Sequence, residues 1–567
     1  MNIKIQSSQD SFRELRESGS YYIDKTETIQ EYLEEHFEKT VMFTRPRRFG
    51  KSLTMTMFRD FLDIRQDSRE IFSGLKIMNN PGLVKEYMNQ YPVVFLSLKE
   101  VFGENFDAIY ENFCLAVANA FKPLEDILEE KEIKESDKAV FRKIEFQEAN
   151  KANTIAALDL LARMLHDTYQ KPVFVIIDEY DVPMAKAYGT PAYDKVRDMI
   201  EHMLSYVCKT NSNVKGVILS GCLYTVKNTT YTGVNNIVPY TVLSPLYASA
   251  IGFTDKDVRT LLDDAGLADQ YDTVEEWYDG YIFGRERMYC PWDVLSFVKS
   301  KLDGSYSEAM GPESYWLNTS EISLNLIHGF LGKTTSANER FEQLLAGNTI
   351  ECIVNEFVPY HRIHESSENL WSALVETGYL TKTVTEKMHL MPLKIPNRGI
   401  QVVFRQEVWN YFQDKVDNVF VRDLVNGLWG GEIQKAESAL SRILEATLSF
   451  YHEYHEYSYH LILDGFFTGL GYRVQSERET GYGRSDLIIL DPARHRCLLL
   501  ELKHVKKESE MAAALQEAES QIVRQKYDSR LNYEGYTTQI QYGMVFCDKR
   551  ACISRVAESG KPTDEKA

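Results

Sequence analysis

No run of about eighteen consecutive apolar residues occurs in the chain, so no membrane-spanning helix is expected. The N-terminus, MNIKIQSSQDSF, lacks the apolar core of a secretion signal, and the expected location is the cytoplasm. None of the eight cysteines forms a C-x-x-C pair, which argues against a zinc knuckle or a disulfide framework and leaves buried, reduced thiols. Positive charge is also scarce. Against 83 acidic residues stand 64 basic ones, a net charge of -19, which excludes coating of nucleic acid by bulk electrostatics but leaves room for a local basic groove. What is present is ordinary globular material, 44% hydrophobic and 26% charged, over 567 residues. That length exceeds one core and predicts roughly two to four domains.

A smaller absence carries more chemistry. The stretch TRPRRFGKSLT (44–54) ends as a phosphate-binding loop does, in Gly50, Lys51 and Ser52. The first glycine of that pattern is missing: Arg45 replaces it, followed by Pro46, Arg47, Arg48 and Phe49. TVMFTR (40–45) reads as a buried strand and SLTMTMFRDFL as an amphipathic helix, the strand–loop–helix order such a loop requires. In that setting, loop and helix-terminal N–H groups point at phosphate oxygens and Lys51 reaches the terminal phosphates. The Ser52 hydroxyl takes a Mg²⁺ position. A lone G-K-S is common, so on this stretch by itself a basic loop without a nucleotide remains the other reading.

Three further apolar runs follow, YPVVFLSLK (91–99), KPVFVIIDEYD (171–181) and VKGVILSGC (214–222), with helical patterns between them. Near-continuous apolar strands alternating with helices predict a parallel sheet covered on both faces. The run 171–181 carries Asp178 to the C-terminal end of a buried strand, where ligands of open α/β sheets bind. Asp178 is placed to hold Mg²⁺ through water, and Glu179 to activate the attacking water. Ser220, ending the next run, is a small hydroxyl placed to sense the terminal phosphate. Acids at a strand end are also what a strand meeting solvent shows.

Taken together, YYIDKT (21–26), RPRRFGKSL (45–53), IIDEYDVP (176–183), WYDGYIFG (277–284), PWDVLSF (291–297) and YWLNTS (315–320) resemble the prokaryotic AAA-ATPase-like proteins that carry a C-terminal PD-(D/E)XK nuclease domain. The resemblance runs over residues 5–550. It implies that the loop is a true nucleotide site in variant form, since R-P-R-R-F-G-K-S is the habitual wording there. The implied ATP set is Arg45, Pro46, Arg47, Arg48, Phe49, Gly50, Lys51, Ser52, Asp178 and Ser220, with Ser52 and Asp178 on Mg²⁺ and Glu179 catalytic. Where the family often has threonine this chain has Ser220, which keeps the hydroxyl. Pro46, with its fixed φ, can shape the turn that a glycine would otherwise relieve.

Residues 241–435 read as a helical lid and connector. Thr254 caps a helix with Asp257 as its capping-box partner. The order helix, strand, turn, strand over 370–397 allows a winged-helix-like unit or a packed spacer. Trp277, Tyr278, Tyr281 and Trp292 read as core.

Farther on, SFYHEYHEYSYHLILDGFFTGLGYRV (449–474) reads as a helix. It is not a zinc-protease helix: His452 and His455 are three apart, and neither has a histidine four residues on. Next come two strands, SDLIIL and RCLLLELK, joined by a turn around Asp491 and Pro492. Asp486 starts the first. Glu501 and Lys503 share one face of the second, with Leu502 on the other. This D-x14-E-x-K spacing resembles the PD-(D/E)XK nuclease core. The resemblance implies that Asp486 and Glu501 hold Mg²⁺ and that Lys503 orients or deprotonates the attacking water. It adds Glu456 from a preceding helix, Gln521 from a following one, and the loop residues Glu479, Gly481, Gly483 and Arg484. KHVKK (503–507) gives local positive charge.

The expected architecture is a multidomain α/β protein. A P-loop parallel-sheet ATPase core (1–240) precedes a helical lid and connector (241–435), an α/β restriction-endonuclease-like nuclease domain (436–550) and a disordered tail (551–567). The expected cofactors are ATP and Mg²⁺, and the expected partner is nucleic acid, taken as DNA, with homo-oligomerisation open and no membrane. A rival reading keeps the nucleotide site but makes the nuclease fold a switch or scaffold that binds without cutting.

Overall fold

Each of the four apolar runs becomes a strand in the computed structural model. It describes residues 3–559 except 210, 225–235, 308–310, 316–339, 342, 346, 384–389, 414–415, 448–455, 481–482 and 526–535. The strands are β1 (Thr40–Thr44), β2 (Val93–Ser97), β3 (Val173–Asp178) and β4 (Val214–Gly221), joined by a short β5 (Val238–Tyr240). They form one parallel sheet in the order β2-β3-β4-β1-β5. Every residue of β1 and β3 is buried, which is why these runs show no alternation in the sequence. Because β4 lies between β1 and β3, the ends of all three strands stand side by side. Phe43 is level with Ser220, and Ser97 with Asp178.

Two compact units divide the chain. One contains residues 1–306 and 351–397, and the other residues 307–350 and 398–567. The stretch read as a connector, 241–435, is therefore shared between them. In the first unit, β6 (Phe253–Thr254), β7 (Tyr281–Phe283) and β8 (Glu286–Tyr289) form a small sheet in the order β6-β8-β7. Thr254 and Asp257 make the predicted capping box at the helix Asp255–Ala265. β9 (Ile350–Cys352), β10 (Thr381–Lys382) and β11 (Met391–Lys394) form another, in the order β10-β11-β9. The helix Ser367–Glu376 precedes the antiparallel pair β10 and β11, the element order read from 370–397.

The second unit holds a five-stranded sheet, β12 (Arg473–Thr480), β13 (Gly483–Asp491), β14 (Arg496–His504), β15 (Thr538–Cys547) and β16 (Arg550–Ser559), in that order. β14 and β15 are parallel and the other pairs antiparallel. One face packs Leu498, Leu500 and Leu502 against the helices Asn418–Gly430, Ile433–Thr447 and Glu456–Gly469. The other packs Cys497 and Leu499 against Ile522 of the helix Met511–Gln525. Residues 551–559 correct the expectation of a disordered tail from 551. Ala551 and Ile553 alternate into the core, and the segment pairs along β15 as β16. Residues 560–567 lie outside the described ones.

Candidate nucleotide site and nuclease site

Lys51 opens the helix Lys51–Leu62 and is almost fully buried. Its ammonium donates to the Pro46 carbonyl at 3.2 Å, lies 3.8 Å from Glu179 Oε1 and reaches Cys222 Sγ at 3.5 Å. Burial works against the charge, but Cys222, Glu179, Asp181 and Asp178 outweigh it and hold Lys51 above the usual lysine range. The Cys222 thiol is itself pushed up to about 11 by burial. It is therefore neutral near pH 7, and the carboxylates supply the opposing charge.

Asp178 and Ser220 meet where β3 and β4 end. The Ser220 hydroxyl donates to Asp178 Oδ1 at 2.5 Å and accepts the Glu179 amide at 3.3 Å. Ser52 lies beside the same carboxylate and favours its charged form. Burial and the neighbouring Glu179 raise the Asp178 pKa, and the two serines and Lys51 oppose that rise. A serine hydroxyl beside a carboxylate is a hard-oxygen pair of the kind Mg²⁺ takes. Glu179 itself has a left-handed backbone, φ 56°. This turns the chain sharply at the strand end and is an arrangement found at functional sites.

The rest of the loop divides by role. Arg45 continues β1, donating its amide to the Gly221 carbonyl. Its guanidinium turns inward to the carbonyls of Thr44, Tyr240 and Tyr247 at 2.8, 3.0 and 2.6 Å. It is fully buried and its pKa is lowered to about 10 by that burial. Sequence reading placed Arg45 in the ATP set; the structure places it in the core, where it fastens the strand end. Phe49 is likewise buried, edge-on to Tyr281 at 5.1 Å and against Phe283. Pro46 packs on Gly378, where an added Cβ would come within 2.8 Å of the proline ring. Arg48, with φ 69°, lays its guanidinium 3.9 Å from the Trp292 ring centroid. Burial works against the charge of Arg47, and the neighbouring Glu179 and Asp181 carboxylates outweigh it, the Cys222 thiol and Tyr360 phenol beside it being neutral near pH 7. The loop without its first glycine is thus held from outside, by residues as far along the chain as Gly378, rather than by its own flexibility.

Two buried residues escaped the sequence reading. Asp181 Oδ2 accepts the amides of Cys222 and Leu223, both at 3.0 Å, and the Tyr360 hydroxyl at 3.1 Å. Asp181 was visible as the third acid of IIDEYD, with nothing to set it apart. Tyr360 carried no sequence signal.

In the second unit, Glu501 is completely buried and pairs with Lys503 Nζ at 3.4 Å. They lie on one face of β14, with Leu502 in the opposite core, as the alternation predicted. The last registered pair of β13 and β14 is Leu487 with Leu500, so Asp486 stands one step beyond, at the position facing Glu501. Glu501 is also level with Gly543, and the helix Met511–Gln525 comes close there: an added Cβ on Gly543 would meet Ala518 at 3.2 Å. Gln521 is one helical turn beyond Ala518. The helix carrying Glu456 packs on the other face. Its Tyr459 stacks on Phe546 at 4.3 Å and on His504 at 5.7 Å, which brings the start of that helix to the end of β14 where Lys503 lies. The side chains of Glu456, Asp486, Glu479 and Arg484 lie outside the described residues, as do His452, His455 and Gly481. Among the described residues no group of three His, Cys, Asp or Glu is arranged to hold a metal, and no helix is long and apolar enough to cross a membrane.

Comparison with known proteins gives two family matches. Residues 7–230 match the family described as "Predicted AAA-ATPase", and residues 454–556 match the PD-(D/E)XK nuclease superfamily. The chain is also similar, at 22% identity over 499 residues, to a protein of Azotobacter chroococcum mcd 1 described as "Uncharacterized protein in vnfD 5'region". That similarity covers 85% of this chain and 86% of the relative.

Proposed function

We propose that this chain, which joins an AAA-ATPase-like domain to a PD-(D/E)XK nuclease-superfamily domain, binds and hydrolyses ATP and uses its second unit to cleave phosphodiester bonds in nucleic acid. The observation that carries the first half is the convergence of Lys51, Ser52, Asp178, Glu179 and Ser220 at one end of a parallel sheet. Lys51 and the loop amides bind the phosphates. Ser52 and Asp178 hold Mg²⁺, which when bound neutralises charge on the phosphate oxygens. Glu179 accepts the proton of the attacking water, and Ser220 orients Asp178 and the Glu179 backbone.

For the second half, support comes from the buried Glu501 beside Lys503, with Asp486 one residue beyond the pair Leu487 and Leu500 that precedes it in register. Burying that pair costs stability, which favours a functional reason for keeping it. Asp486 and Glu501 are the residues to hold a divalent metal, and Lys503 to orient the water that attacks phosphorus. Glu456 and Gln521 complete the proposed set. Arg47 and Arg48 are proposed to add charge around the ATP site. DNA is the first substrate to try.

The test is cleavage of labelled DNA and RNA by the full chain in Mg²⁺ or Mn²⁺, with and without ATP, beside Lys503→Ala and Lys51→Ala. Cleavage by the wild type that disappears in Lys503→Ala is the expected result. A wild type that binds ATP yet cuts nothing would overturn the nuclease reading in favour of a nucleotide-dependent binding module.

A further inference from the structure

The Asp181 carboxylate joins three pieces of the first unit. It belongs to the turn after β3. It holds the Cys222 and Leu223 amides at the end of β4, and it accepts the Tyr360 hydroxyl from the helical turn Tyr360–Glu365. The approach is close enough to require Gly221, where an added Cβ would fall 2.7 Å from Asp181 Oδ1 and 2.6 Å from the Tyr180 ring. Ser220 sits immediately before this junction and bonds both Asp178 and the Glu179 amide. Any displacement of the β4 end is therefore passed to the groups that face the terminal phosphate. Lys51 and Ser52 are on a different element, the helix Lys51–Leu62. The same helical turn has other anchors that do not touch the junction, among them the Tyr193 hydroxyl 3.5 Å from His361 Nδ1.

We infer that Asp181 and Tyr360 are a positioning pair for ATP hydrolysis: the Tyr360 hydroxyl fixes the Asp181 carboxylate, and through it the strand end that sets Ser220 and Glu179 against the terminal phosphate. The inference rests on the ATPase reading above and adds two residues to it. Because Tyr360→Phe removes only the hydroxyl that fixes the junction and leaves the Asp181 charge beside Lys51 and Arg47, its loss falls on kcat and leaves nucleotide binding in place, whereas Asp181→Asn also takes a carboxylate from beside those two cations. Losing one hydrogen bond to a buried carboxylate predicts a roughly tenfold fall.

The experiment compares steady-state ATP turnover, nucleotide affinity and Tm for full-length wild type, Tyr360→Phe, Asp181→Asn, their double variant and Tyr193→Phe. Expected are a lowered kcat in Tyr360→Phe with KM and affinity held within about twofold, a double variant no slower than Asp181→Asn alone, and an unchanged kcat in Tyr193→Phe. An unchanged kcat in Tyr360→Phe, additive losses in the double variant, an equal loss in Tyr193→Phe, or kcat and affinity falling together with Tm would each overturn the pair. A wild type that binds ATP without turning it over would sink the ATPase reading itself, a result distinct from any of these.

Discussion

Lys51 keeps its charge in a nearly closed site because carboxylates surround it, and that defines what its removal does. Lys51→Ala leaves Glu179, Asp178 and Asp181 without the cation among them, so ATP affinity and turnover both fall, turnover by at least about a hundredfold; a fluorescent-nucleotide titration and a phosphate-release assay measure the two. Glu179→Gln is expected to separate them. The amide still packs beside Lys51 but cannot take a proton, so ATP remains bound while release of phosphate stops; turnover at the wild-type rate would remove Glu179 from its role. Glu501→Gln tests the other unit. It removes a fully buried charge, so cleavage is lost while Tm holds or rises, since catalytic charges are kept at the expense of stability. A large drop in Tm would show the Glu501–Lys503 pair to be structural. At this scale the sequence named Lys51 through the Gly50–Lys51–Ser52 motif, and Asp178, Glu501 and Lys503 because each follows a run of apolar residues. It did not show that Arg45 turns inward, because one arginine among three in a loop gives no sign of which does so.

Elements were legible where their pattern was self-contained. The four parallel strands fall within the apolar runs that predicted them, since burial on both faces writes itself as an unbroken run. The capping box of the helix Asp255–Ala265 was readable from two residues three apart. Thr254→Ala should cost about 1 kcal/mol and lower Tm by a few degrees, with ATP turnover at the wild-type value; an unchanged melting curve would deny the cap its part. β16 was not legible. Its strand character comes from partners on β15 (Phe546 with Ala551, Cys547 with Arg550), while its own sequence, RACISRVAES, is half polar.

Over the whole molecule, the buried Glu376 links stability to pH. It lies 3.5 Å from Thr44 at the end of β1, and burial, with the nearby Glu356, pushes its pKa up to about 8. The unfolded chain releases this proton near the usual value of 4.5. Between those two values the native state binds more protons than the unfolded one, so this group lowers stability as pH rises from about 4.5 to about 8, and the effect levels off above. Glu376→Gln should flatten that part of the Tm–pH curve and melt above the wild type at pH 8; parallel curves would rule out the linkage. Residues 351–397, which supply Glu376, Gly378 and Tyr360 to the proposed nucleotide site, lie in sequence between two stretches of the second unit.

By itself the sequence determined the parallel sheet, the glycine–lysine–serine loop with its acidic counterparts, and the same-face Glu501 and Lys503. All of these rest on local pattern: an unbroken apolar run, a short motif, or the two-residue alternation of a strand. Only the tertiary structure decided how a loop lacking its first glycine is held. Pro46 meets Gly378, Phe49 meets Tyr281, and Asp181 meets Tyr360 across separations that no local pattern encodes. Contacts of that range form when the chain packs, and they leave no period in the sequence to be read.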